Sequence, residues 1–213
     1  MRHAFLAFTN PEDGVESTFN RWYDTFHVPE VLRYGRGFSG CRRFRLAREV
    51  RRGELPPWAY LALYTLEFDD LATLARSTWI EETPPLTPFT GLLKSDHVAW
   101  VYSPESARVV SRSAQAAERT VSHILLRWSV EGQVMDARQL EAVVERTEGC
   151  LAAQSYRLAI EQRANQQRSP WSTLVIYELT SGSSVQADSR DPAWLYAAIS
   201  DFRRRDSLSS ATP

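Results

Sequence analysis

The chain predicts an α+β fold: two tandem units of strands and helices whose sheets combine into an α/β barrel. Three observations carry this prediction. Apolar strand-like runs are interleaved with helical patterns in the order β-α-β-β-α, and the order recurs in the second half. The strongest run, from Trp58 to Phe68, has a counterpart from Trp171 to Leu179, with Trp58 and Tyr64 matched by Trp171 and Tyr177. Gly37 to Cys41 in the first half is matched by Gly149-Cys150 in the second.

Each element has its own signal. Residues 3–9 read as a first strand, and Asn10-Pro11-Glu12-Asp13-Gly14 as the turn after it. Apolar positions at Phe19, Trp22, Tyr23, Phe26 and Val31 recur at helical spacing and predict a helix over 15–26. Pro29 has no N–H for the carbonyl four residues back and biases Val28 away from helical angles. The helix is therefore expected to end or kink just past His27 and restart with Pro29 over 29–34. Gly35-Arg36-Gly37 stops it. Phe38 to Leu46 reads as a strand with Arg43 and Arg45 on one face and Arg42 and Phe44 on the other; these arginines are expected to coat the outside of an edge strand, with binding of a carboxylate or phenolate substrate as the alternative. Arg48 to Pro57 is a polar loop. After the Trp58 strand, Asp69-Asp70 caps a helix through about Thr78. A proline-rich loop (Pro84, Pro85, Pro88) leads to a fourth strand from Ser95 to Tyr102.

The first unit spans 1–103, residues 104–119 form a linker, and the second unit spans 120–213. In the second unit, strands are expected from Val121 to Trp128, Cys150 to Ile160 and Trp171 to Leu179. A helix runs from Asp136 to about Thr147, and Arg163 to Ser169 is a loop. Asp191-Pro192-Ala193-Trp194 is read as the opening of a last helix through about Arg204. This repeated order is the ferredoxin-like split βαβ pattern, βαββαβ, with the second unit incomplete: no strand signal follows Arg205. The closing strand is expected to be absent, or to come from elsewhere in the chain or from a partner, which leaves a homodimer open.

Composition narrows the function. Of 213 residues, 43% are apolar, which is ample for a packed core, and 7 Trp, 8 Tyr and 9 Phe suit a sheet-based core or an aromatic-lined pocket. With 25 basic and 26 acidic residues the net charge is -1, so the overall field argues neither for nucleic acid nor for an acidic partner, and no nucleic-acid partner is expected. The two cysteines, Cys41 and Cys150, have no metal-ligand spacing. No apolar stretch approaches the ~18 residues of a membrane span, and the N-terminal apolar run is too short for a signal peptide. A cytoplasmic location with reduced thiols is expected. There is no Gly-rich phosphate loop and no nucleophile elbow.

The candidate site centres on the stretch from Phe19 to Leu32, which gathers Trp22, Tyr23, Asp24, His27 and Glu30. An imidazole titrates near neutral pH (~6.5) and can both give and take a proton. Tyr23 lies one helical turn before His27 and Asp24 three residues before it, so either is placed to orient the ring. Asp24 has an alternative partner in Arg21 or Arg33. Glu30 follows Pro29 in the first turn of the restarting helix, where the dipole favours a carboxylate with or without a functional role. His97, after Asp96 in the middle of the fourth strand, faces either inward, opposite His27, or the surface.

The motif Trp22-Tyr23-Asp24-x-x-His27-x-Pro29-Glu30-x-Leu32, followed by Gly37-Phe38 and Arg43-Phe44, resembles the EthD-like branch of the dimeric α/β-barrel superfamily over about residues 3–102. The second half matches in element order only and has no His-x-Pro-Glu equivalent. The resemblance implies that two ferredoxin-like sheets form a barrel, with the site in the cleft between sheet and first helix. It implies small hydrophobic or aromatic substrates and chemistry among cofactor-free monooxygenases, cyclases, isomerases and dehydratases, with polyketide tailoring a common setting. The expectation is a lyase, cyclase or isomerase without cofactor, acting on a small hydrophobic, polyketide-like substrate. His27, Asp24 and Tyr23 would be catalytic, and Trp22, Glu30, His97 and Phe44 would contact substrate. An aromatic-lined barrel would exclude water. The alternatives are a cofactor-free monooxygenase in the same pocket and a non-catalytic binding or accessory protein.

Overall fold

Eight strands close into an antiparallel barrel. The structure, a computed structural model, describes residues 1–53, 55, 57–68, 86–115, 120–129, 132–159, 168–182 and 191–208. The strands are β1 (Arg2–Thr9), β2 (Phe38–Arg51), β3 (Tyr60–Glu67), β4 (Val98–Pro104), β6 (His123–Ser129), β7 (Cys150–Leu158), β8 (Thr173–Leu179) and β9 (Ala193–Ala198). Their order around the barrel is β2-β3-β1-β4-β7-β8-β6-β9, with β9 returning to pair with β2. Two short strands lie off the ring: β5 (Val109–Val110) on β7, and β10 (Arg203–Arg204) on β2. The expected helix beginning at Asp69-Asp70 lies outside the described residues, as does most of the Arg163–Ser169 loop.

The last helix expected from Asp191 is instead β9, and it is the strand thought to be missing. Asp-Pro reads as a helix start, but Ala193–Ala198 is a short apolar run whose Trp194 and Tyr196 point into the barrel while Leu195 points out. Six residues at that periodicity cannot be told from a helix by pattern alone. Phe44 pairs with Ala198 and Glu49 with Trp194, so the barrel closes within one chain, without a strand from a partner. The expected linker is also partly ordered into the fold: Val109 and Val110 pair with Ala153 and Ala152, and Arg112–Gln115 forms a helical turn.

Alternation sorts side chains between two sides of the sheet. On β1, Ala4, Leu6 and Phe8 point into the barrel, and Phe5 points out against Phe38 and Tyr64. The barrel interior is filled by Phe8, Trp58, Trp100, Trp128, Trp171 and Trp194, all buried. Trp128 and Trp171 stack at 4.8 Å, and Trp100, Trp171 and Trp194 meet edge to face. The buried indole N–H groups of Trp128, Trp171 and Trp194 have no hydrogen-bond acceptor among the described residues. Edge-to-face packing against neighbouring rings accommodates such groups. The expected water-free reaction chamber inside the barrel is therefore occupied at its centre by the protein's own rings.

Outside the barrel, the helical segment over 16–34 packs on β1, β2 and β3 through Phe19, Trp22, Tyr23, Val28, Val31 and Leu32. The Ala137–Arg146 helix covers β7 and β8 in the second half, opened by a capping box between Asp136 and Gln139.

Candidate active site

The expected break at Pro29 is resolved as a π-helical turn. Helix α1 (Glu16–Trp22) runs into a π turn (Tyr23–His27) and then into α2 (Val28–Tyr34), with helical backbone angles at Tyr23, His27 and Val28. Val28 N–H donates to the Tyr23 carbonyl, five residues back. The wider turn absorbs the missing proline donor without ending the helix. It also aligns side chains that an α-helix would separate. Residues five apart on an α-helix point about 140° apart; here the His27 ring stacks on Trp22 with centroids 4.9 Å apart and planes 25° apart, and meets Tyr23 edge-on at 4.7 Å.

These rings face a cavity of about 220 Å³ between the helical segment and the outer face of β1, β3 and β4. Trp22, Tyr23 and His27 wall it from the helix, Phe5 and Tyr64 from the sheet, and Phe89 and His97 from the segment that leads into β4. His27 and His97 are both half-buried. His97 Nδ1–H donates to the Lys94 carbonyl at 3.0 Å, which leaves Nε2 without the proton in the neutral ring. The Phe89 ring stands 6.2 Å from His97 and 5.9 Å from Trp22. Burial raises the Tyr23 and Tyr64 phenols well above the ordinary tyrosine range, against a lowering by Arg43 at Tyr23, so both stay protonated at neutral pH.

The other expected site residues are placed differently. Asp24 does not orient His27. Its Oδ2 lies 3.0 Å from Nη1 of Arg43, a partner the sequence placed on the outer surface. Arg43 is instead 2% exposed: its Nη2 donates to Asn20 Oδ1 at 2.7 Å, and its guanidinium lies over the Tyr23 ring. The reason is alternation, which turns Cys41 and Arg43 toward the helix and Arg42 and Phe44 into the barrel. Phe44 therefore belongs to the barrel interior and does not touch the His27 cavity. Glu30 accepts from Thr87 N–H at 2.8 Å and from Thr87 Oγ1 at 2.5 Å. Trp22 Nε1 donates to the Thr87 carbonyl at 3.2 Å. Together they tie down the Leu86–Phe89 wall of the cavity. Tyr64 and Phe89, which sequence reasoning left out of the site, line it. Tyr64 carried a signal in the Trp58…Tyr64 alternation, whereas Phe89 in a proline-rich loop carried none.

Among the described residues, no group of three or more His, Cys, Asp and Glu side chains is gathered for a metal ion, and no helix is long and apolar enough to cross a membrane.

No family model matches the chain, and no curated protein sequence matches it. Solved structures do. An anthrone oxidase-like protein superposes with a TM-score of 0.56 at 11% identity, covering 100% of this chain and 96% of that one. A proposed monooxygenase from Lactobacillus acidophilus NCFM gives a TM-score of 0.47 at 8% identity over 96% of both chains. A proposed chlorite dismutase gives 0.43 at 8% identity, over 98% of this chain and 97% of that one. The likeness to the first of them shows a shared fold and nothing beyond it.

Proposed function

We propose that the protein is an enzyme that moves a proton on a small, planar, largely apolar substrate with an acidic C–H bond, without a cofactor. One observation carries the reading: two imidazoles, His27 from the helix and His97 from the edge of β4, wall one cavity otherwise lined by aromatic and apolar side chains. One ring can take a proton from carbon next to a carbonyl while the other, protonated, gives one to a departing hydroxyl. The bond to the α-hydrogen breaks, the C–O bond breaks, and water leaves, which is a dehydration; closing a ring before that step makes it an aldol-type cyclisation. The buried Tyr23 and Tyr64 hydroxyls are neutral donors for an enolate oxygen that reaches them. Aromatic walls hold a flat substrate and keep water away.

The second reading is a cofactor-free monooxygenase. The fold shared with an anthrone oxidase-like protein favours it. The first step is the same proton abstraction. The carbanion then passes its electrons to dioxygen, and the resulting peroxide loses water to give a new carbonyl. The Trp22–Leu32 motif supports membership of the EthD-like branch. Identical strand order in the two halves, β2-β3-β1-β4 and β7-β8-β6-β9, supports two tandem ferredoxin-like units, over 1–103 and 120–213.

Anthrone, a flat ketone with an acidic methylene, tests the shared step. In heavy water without oxygen, the protein should speed deuterium uptake at that methylene, and His27→Ala should lower the rate by about 100-fold or more while binding anthrone as before. Oxygen uptake with anthraquinone formation selects the second reading. Binding without exchange, equal in both proteins, overturns the enzyme and leaves a binding protein.

A further inference from the structure

A second cavity, of about 310 Å³, lies across the sheet from the first, at one end of the barrel interior. Its apolar wall is made by Ala4, Phe44, Leu63, Ile124 and Ile176, all inward-facing by the same alternation that fills the barrel centre with tryptophan. The tryptophans stop short of this end, where smaller inward side chains such as Ala4, Leu63, Ile124 and Ile176 leave the space open.

The polar groups at this end are nearly all engaged. Glu178 has its two oxygens held by Arg108, at 2.8 and 2.5 Å. Tyr156 donates to Gln154 Oε1 at 2.7 Å, and Gln154 Nε2 donates to the Ser106 carbonyl at 2.9 Å. Arg42 is different. Its Nε donates to the Ser200 carbonyl at 3.0 Å, and its guanidinium stands 5.8 Å from the Phe44 ring. Among the described residues its terminal nitrogens have no acceptor. The cavity thus holds a fixed guanidinium with open donors beside an apolar wall. The carboxylate in the same cavity is already neutralised.

The approach has the same sign. Outside this end lies a hollow of about 530 Å³ lined by Arg2, Arg204 and Arg205 against Glu67 and Asp206. Phe202 lines both spaces, half exposed, with its ring seated over Gly40. A β-carbon at residue 40 would sit 2.3 Å from the tip of that ring, so glycine makes the notch in which the ring rests.

We propose that this end of the barrel is a second ligand site, separate from the His27 cavity, for an amphipathic organic monoanion such as an aromatic carboxylate. The carboxylate sits on the free edge of Arg42, and the apolar body lies among Leu63, Ile124 and Ile176. A planar guanidinium suits a carboxylate, and the low-dielectric wall strengthens the pair. Arginine outnumbers carboxylate in the outer hollow, which raises the local concentration of anions at the mouth. The volume is at the lower end for ligand cavities and suits a compact ring system better than a long acyl chain.

Calorimetric titration of the full chain with 1-naphthoate, and with 1-naphthalenemethanol as its uncharged counterpart, tests the site. The native protein should bind naphthoate about tenfold or more tightly than the alcohol. Arg42→Gln should abolish that preference, Leu63→Phe should weaken both ligands by filling the apolar end, and His27→Ala should change neither. Amide NMR shifts caused by naphthoate should fall on Ala4, Ile124 and Ile176, and this mapping needs no variant to fold. The proposal is overturned if naphthoate does not bind, if Arg42→Gln binds it as well as the native protein, or if the shifts fall on Val98 and Ala99 of the other cavity.

Discussion

Arg43 lies under Tyr23, with its guanidinium carbon 4.3 Å from the ring centroid, and the same guanidinium reaches Asp24 at 3.0 Å and Asn20 at 2.7 Å. This contact pins three helix residues that flank His27 to β2. Arg43 is 2% exposed, whereas the Asp24 side chain keeps 32% of its exposure. The pair is therefore half solvated and contributes through position more than through charge. Arg43→Ala should cost about 3 kcal/mol, because it empties a buried site and removes the anchor. Arg43→Met should cost clearly less, since it keeps the volume and leaves an aspartate whose side chain is one-third exposed. Urea denaturation of both variants checks this, and equal losses would mean that the charge itself carries the contact.

Glu30 acts on the cavity from a distance. Its carboxylate holds the Thr87 N–H and hydroxyl, and Trp22 holds the Thr87 carbonyl. Leu86 and Phe89 on either side of Thr87 form one wall. Glu30→Ala should release that wall and weaken anthrone binding by about 5- to 10-fold, the size of one or two lost hydrogen bonds, with little change in the deuterium-exchange rate at saturation. A fall in the saturated rate with unchanged affinity would instead place Glu30 in the chemistry.

Much of this arrangement was legible in the chain, and the residues show why the rest was not. Continuous apolar runs announced β1, β3 and β8, because each has one face in the barrel and one under a helix, so neither face is polar. His27 and Trp22 were found because a histidine, aromatics and a proline fall within one helical segment. Their stacking was not, since it depends on a π turn that no propensity encodes. Arg43 was misplaced because a charge in a strand is usually solvated, and only the folded barrel shows that Asn20 and Asp24 wait beneath the helix. The strand β9 was lost because Asp-Pro imitates a helix start and its two partners, β6 and β2, lie about 70 and about 150 residues earlier in sequence.

The cysteines should be inert in the folded protein. Burial pushes the Cys150 thiol up to about 12, and burial raises the Cys41 thiol further. A raised thiol pKa lowers the thiolate fraction at any pH below it, and thiolate is the reactive form. At pH 8, neither should react with a disulfide reagent such as DTNB until denaturant is added, and then both should. Rapid labelling of either thiol in the native state would show that the sheet opens around it.

The tryptophan-filled centre lies inside the barrel with the second cavity, and the sheet separates both from the first cavity. Trp171 stacks on Trp128 at 4.8 Å and meets Trp194 edge to face at 5.2 Å, with 1% of its surface exposed. Trp171→Ala removes a large buried ring from a place that rigid barrel walls cannot collapse to fill, so it should cost about 4 kcal/mol. The proposed substrate site lies on the outer face of β1, β3 and β4, across the sheet from that ring. Anthrone affinity at a temperature where the variant remains folded should therefore stay within about twofold of the native protein. A large change, in either direction, would place the substrate inside the barrel and remove His27 from its chemistry.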